Sequence, residues 1–132
     1  MATDSPPTPS ISNAPISPQG LASLRELQIE SGDGVFEELV TIFIAAGVAL
    51  VGRIKTAAGQ NDFSGLKNAA HALKGSSASM GALHLSALCD MLDRTEPDAN
   101  VNLIEQADKI DAEFQRAKTF LQDELAPTKP RT

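Results

Sequence analysis

Residues 70–77 read Ala70-His71-Ala72-Leu73-Lys74-Gly75-Ser76-Ser77, and Gly81-Ala82 close the stretch. Leu66, Ala70, Leu73 and Ser77 recur three and four residues apart, the spacing of one helix face. That spacing predicts a helix running from about Asp62, with Gly81 as its stop or kink. The shared face is a narrow seam of small residues. Placed at the helical advance of about 100° per residue, His71 points away from it, on the same side as Lys67, Lys74, Gly75 and Ala78.

The segments on either side read the same way. After Gly81, Leu85, Leu88, Cys89 and Leu92 recur with amphipathic helical spacing, and Glu96-Pro97-Asp98 ends the run. A last helix carries Leu103, Ala107, Ile110, Phe114, Ala117 and Leu121 on one face. Upstream, Phe36, Leu39, Val40, Phe43, Leu50, Val51 and Ile54 predict a richly apolar helix with Asp33 as its N-cap. Gly47 and Gly52 weaken that helix, at about 1 kcal/mol each relative to Ala. Leu21, Leu24 and Leu27 add a short helix from about Pro18, a residue suited to a first turn. No strand pattern competes. The expected fold is therefore all-α, an antiparallel four-helix bundle with a short additional N-terminal helix.

Five of the eight prolines fall within residues 1–18, among Ser, Thr, Asn and Ala, too little apolar surface to pack. Residues 1–18 are read as a flexible arm or linker, 19–126 as the bundle and 127–132 as a flexible tail. The core must come from aliphatic residues, because the 132-residue chain has five Phe and no Trp or Tyr. A net charge of -6 argues against general nucleic-acid binding, which rests on basic groups meeting phosphates. Cys89 is the only cysteine, so no intramolecular disulfide and no cysteine-based zinc cluster can form. The start of the chain lacks a signal-peptide pattern, and no apolar stretch is expected to reach the roughly 18 residues of a membrane span. The expectation is a cytoplasmic monomer without a membrane segment.

The chemistry gathers at His71. A helical side chain leans toward the N-terminus, so the residue at i+4 projects back over residue i. For His71 that residue is Gly75, which leaves the ring clear, and Lys74 leans the same way with a flexible ammonium able to meet an anion. Neutral imidazole is a nucleophile near pH 7 and can hold a group covalently and pass it on. Phosphoryl transfer needs mainly positioning and charge neutralisation, both of which a docked partner can share. No phosphate-binding loop of the G-x-x-x-x-G-K-[ST] type and no kinase signature is present, so the phosphoryl group is expected from another protein domain. His84 is expected to be a surface residue and Cys89 a small core residue, and a metal site built from His71, His84 and Cys89 is not expected.

On Ala70-His71-Ala72-Leu73-Lys74-Gly75-Ser76-Ser77 and Gly81-Ala82 the chain resembles the histidine-containing phosphotransfer (HPt) domain of multistep phosphorelays, with weaker agreement from about Leu21 to Leu125. The resemblance implies a four-helix bundle in which His71 is phosphorylated on Nε2 and exchanges the group with receiver-domain aspartates. It implies charge neutralisation by Lys74, steric access through Gly75 and supporting positions at Ser76 and Ser77. Docking would engage Lys67 and Ala78. The implied partners are receiver domains of response regulators or of a hybrid sensor kinase. No cofactor is implied for this chain, Mg2+ belonging to the receiver. By the same resemblance the chain is a phosphoryl carrier without kinase activity of its own, either free-standing or as the terminal module of a hybrid kinase. A non-catalytic helical adaptor for a receiver or kinase is the alternative. No clear residue orients the imidazole; Asp93 is a candidate by position.

Overall fold

The computed structural model describes residues 14–32, 34–96 and 101–125. These form five helices: α1 (Pro18–Ser31), α2 (Val35–Gln60), α3 (Phe63–Ser79), α4 (Leu83–Asp93) and α5 (Leu103–Leu125). α2 packs on α3, α3 on α4, α4 on α5 and α5 back on α2, which closes a four-helix ring with α1 added against α2. The α2/α3 and α3/α4 pairs are antiparallel hairpins, joined by the short links at Asn61-Asp62 and Met80-Gly81-Ala82. The all-α bundle matches the sequence expectation, although α1, at 14 residues, is longer than the 11-residue α4.

Apolar side chains from the inner faces fill the ring. Val40, Ile54, Leu66, Leu73, Leu85, Phe114 and Leu121 are wholly shielded, each contributing about 1.5–3 kcal/mol of burial. Phe43 and Phe114 meet with ring centroids 5.8 Å apart at 57°. Gly47 lies buried at that contact, and a Cβ there would overlap the Phe114 ring. Gly47 is thus the point where α2 and α5 come close, and not merely a weak spot in α2. Gly52, by contrast, faces open space. Cys89 is fully buried, and burial pushes its thiol up to about 12 against an opposing effect of Lys74, which keeps it unreactive.

Two boundaries differ from the sequence reading. Ile16 and Ser17 are 2% and 4% exposed, so packed structure begins inside the expected arm. Ser17 donates its N–H to Gly81 O at 2.8 Å and its hydroxyl accepts from Gly20 N at 2.9 Å, which clamps the start of α1 onto the α3/α4 turn. Gly81 takes φ +83°, the left-handed region that favours glycine, and a Cβ on Gly20 would come 2.6 Å from its Cα. α2 takes Gly34 and not Asp33 at its N-cap, and its Phe36 N–H is satisfied from α1 by Gln28 Oε1 at 3.1 Å. Asp33 itself, residues 1–13 of the expected arm and the 127–132 tail lie outside the described residues.

α2 also overturns the expectation about apolar length. It holds an 18-residue window of mean hydropathy 2.0, enough by length and composition to cross a membrane. Here its inner row, including Val40, Phe43, Val51 and Ile54, builds the bundle core.

Candidate functional site

α3 presents His71 outward from the middle of the helix, while its neighbours Ala70 and Leu73 are buried in the inward seam. Asp62 starts α3 by accepting from Gly65 N at 3.1 Å, and Gly81 then turns the chain so that α4 returns beside α3. The hairpin brings the end of α4 level with His71.

There His71 Nδ1 lies 3.0 Å from Asp93 Oδ2, the last residue of α4. The His71 side chain is 69% exposed and that of Asp93 21%. Asp93 therefore forms the floor under one edge of the ring and leaves the other edge to solvent. The hydrogen bond from His71 is the main effect holding the Asp93 carboxyl below the usual carboxylate range, with burial opposing and Lys74 assisting. An ionised carboxylate only accepts hydrogen bonds, so Nδ1 carries the hydrogen and Nε2 of the neutral ring keeps its lone pair, facing outward. This is the polar partner of the imidazole that the sequence offered only by position.

Lys74 joins the same carboxylate. Its ammonium donates to Asp93 Oδ2 at 3.2 Å and to Asp90 Oδ1 at 3.3 Å, and these bonds raise its pKa, Asp93 contributing most. Asp90 is in turn bound by Arg94 Nε at 2.9 Å, which with Lys74 lowers the Asp90 carboxyl. Lys74, read from the sequence as a flexible ammonium able to meet an anion, is thus held here by two carboxylates. It ties α3 to α4 beside the histidine, and Ser86 Oγ adds a 3.1 Å bond to Lys74 O across the same pair.

Gly75 is exposed, and a Cβ built on it would meet nothing within 4 Å. The space over His71 is open on that side. Ser76 donates to Leu73 O at 3.3 Å within its own helix. Ser77 lies in the buried seam with an unpartnered hydroxyl, while its carbonyl accepts from Ala82 N at 2.8 Å and so braces the turn. Ala78 is exposed one turn after Lys74, and Lys67 is half-buried one turn before His71. His84 stands apart, 3.9 Å from Oε1 of the buried Glu113, which Arg116 also engages at 2.8 Å.

Sequence reasoning placed His71, Lys74 and Gly75 together, as they are. It missed Asp90, Arg94 and Ser86. Among the described residues no group of three or more His, Cys, Asp or Glu side chains could hold a metal ion.

The arrangement supplies an outward imidazole nitrogen with a lone pair, a carboxylate to accept positive charge developing on the ring, and an ammonium within the same cluster. It can accept a group on Nε2 and release it to a docked partner. A family model described as "Hpt domain" matches residues 38–125, more than half of the chain. No curated protein and no solved structure matches.

Proposed function

This chain belongs to the Hpt domain family, whose members carry phosphoryl groups in phosphorelays and interact with receiver domains, and from that premise we propose that His71 is its phosphoryl acceptor. The group comes from the phospho-aspartate of one receiver and goes to the aspartate of another. The Nε2 lone pair attacks phosphorus; the N–P bond forms as the P–O bond to the donor aspartate breaks, and that carboxylate leaves. The hydrogen stays on Nδ1. The ring gains positive charge, which Asp93 offsets, so the carboxylate both orients the imidazole and favours the phosphorylated state. Onward transfer reverses these steps at the second receiver.

The observation that carries this reading is the 3.0 Å contact of Nδ1 with Asp93 beneath an imidazole that is 69% exposed. In the resting chain Lys74 is engaged by Asp90 and Asp93. Its reach from α3 supports a role in meeting the phosphoryl oxygens once they arrive. Gly75 keeps the approach clear, Lys67 and Ala78 border it for docking, and Ser76 and Ser77 support the helix behind it. Mg2+ in this exchange is the receiver's, and the exchange itself is cytoplasmic. The chain acts as a carrier, not as a kinase.

The test is to incubate the full chain with a phosphorylated receiver domain. Acid-labile, base-stable phosphate should appear on the chain and be lost in His71→Gln. A chain that binds receivers yet takes no phosphate from any of several would leave the adaptor reading in its place.

A further inference from the structure

Lys74 stands between two carboxylates and is held closely by neither. Its ammonium lies 3.2 Å from Asp93 Oδ2 and 3.3 Å from Asp90 Oδ1, longer than the roughly 2.7–2.9 Å of a close ammonium–carboxylate bond. Each carboxylate is meanwhile taken at shorter range by a second group. Asp93 Oδ2, the same oxygen that Lys74 reaches, accepts from His71 Nδ1 at 3.0 Å, and Asp90 Oδ2 accepts from Arg94 Nε at 2.9 Å. Asp93, Lys74, Asp90 and Arg94 thus form a row of alternating charge that begins under the imidazole and runs out along the α3/α4 seam. Lys74 is the member whose long, unbranched stem lets it change partner.

We propose that Asp90 is a positioning residue that restrains Lys74 from the phosphoryl group, and that Arg94 sets how firmly it does so. The proposal rests on the reading of His71 as phosphoryl acceptor and gives that site its adjustment. With phosphorus on Nε2 and the hydrogen kept on Nδ1, the ring is a cation, and Asp93 Oδ2 is drawn toward it. Its hold on Lys74 weakens. Asp90 is then the carboxylate left to compete with the phosphoryl oxygens for the ammonium.

A phosphoryl group spreads about −1.5 to −2 charge over three oxygens near pH 7, against a single charge on Asp90, so Lys74 crosses to it. It keeps all its protons and changes only its hydrogen-bond partners. The crossing costs the Lys74–Asp90 pair, so a stronger pair means a less favoured phosphohistidine. Arg94 lessens that cost by drawing charge to the far oxygen of Asp90. It is on α4 four residues after Asp90 and 78% exposed, and no printed contact joins it to His71 or Lys74, so its effect on the site passes through Asp90.

The experiment mixes the full chain with a phosphorylated receiver domain and measures, once exchange is complete, phosphate on His71 relative to phosphate on the receiver aspartate. Asp90→Asn should raise this ratio about threefold, the scale of one half-exposed ion pair, and Arg94→Ala should lower it by about the same factor. Loosening of the α3/α4 contact would move both variants in one direction. The effects should also depend on one another: Arg94→Ala should change nothing in a chain carrying Asp90→Asn, and Asp90→Asn nothing in a chain carrying Lys74→Gln. Without phosphate, Cε shifts of Lys74 should titrate nearer the ordinary lysine value in Asp90→Asn. A chain phosphorylated on His71 whose ratio ignores Asp90→Asn, or responds equally with Lys74→Gln present, overturns the proposal and leaves the carrier reading standing. A native chain that takes no phosphate overturns the carrier reading and this proposal with it.

Discussion

The Asp93 carboxylate takes the Nδ1 edge of His71 at 3.0 Å and thereby decides which ring nitrogen faces solvent. A carboxylate at the end of α4 thus orients an imidazole in the middle of the neighbouring α3.

Replacing Asp93 with Asn removes the charge but keeps the size. The amide can donate as well as accept, so the Nδ1–H tautomer loses its preference. A hydrogen bond to a charged group contributes about 1.5–3 kcal/mol, and with His71 this exposed the low end applies, a slowing of transfer by about tenfold. Ring 15N shifts of His71 should change in parallel. Unchanged shifts and an unchanged rate would remove Asp93 from the mechanism.

Gly75 separates access from stability. Gly75→Ala has room for its Cβ and should stabilise the helix by up to about 1 kcal/mol without slowing transfer. Gly75→Gln should be at least as stable as the native chain yet transfer slowly, because its longer side chain extends back over His71. Thermal denaturation and transfer rates of both variants check this. Normal transfer by Gly75→Gln would show that access does not depend on this position.

The two glycines of α2 should respond in opposite ways. Gly47→Ala drives a methyl group into the Phe114 ring, an overpacking that costs about 1–3 kcal/mol and outweighs the gain in helix propensity. Gly52→Ala meets nothing and should stabilise by up to about 1 kcal/mol. Urea denaturation measures both. A Gly47→Ala chain as stable as Gly52→Ala would mean that α2 and α5 do not approach as described.

Stability should fall at both ends of the pH scale. Asp90, Asp93 and Asp111 have carboxyls lowered from 3.8 by their partners, so the unfolded chain binds more protons and the stability they give, present above that value, is lost as pH falls through their folded values. Lys55 and Lys74 are raised from 10.5, so their contribution is complete below that value and is lost as pH rises through the folded ones. Urea midpoints between pH 3 and pH 7 should decline toward acid, less steeply in Asp93→Asn. Equal slopes for the two chains would count against the Asp93 cluster as an acid-sensitive element.

α3, α4 and α5 were legible because each carries a strong 3.6-residue apolar period, and His71 with Gly75 was legible because their relation lies within one helix. Asp90 and Arg94 were not found, since their role depends on how α4 is set against α3. A signal was present all the same. His71 and Asp93 stand eleven residues either side of Ala82, and Lys74 and Asp90 eight, so a tight turn there brings each pair level. Ile16 gave no such signal. It is one apolar residue near prolines, and its burial depends on Gly20 meeting Gly81, more than sixty positions along the chain. The start of α2 was misplaced for a similar reason, its cap coming from Gln28 in another helix. Gly47 read as a defect because Phe114, its reason, is distant in sequence.

The proposed relay role has two atomic halves: phosphate on Nε2 of His71, and the ring hydrogen kept on Nδ1 by Asp93. Heteronuclear NMR of the full chain, labelled with 15N and phosphorylated by a receiver domain, tests both halves at once. Phosphorus–nitrogen coupling should appear to Nε2 of His71, with Nδ1 still protonated. Coupling to Nδ1, or phosphate on any other residue, would contradict it.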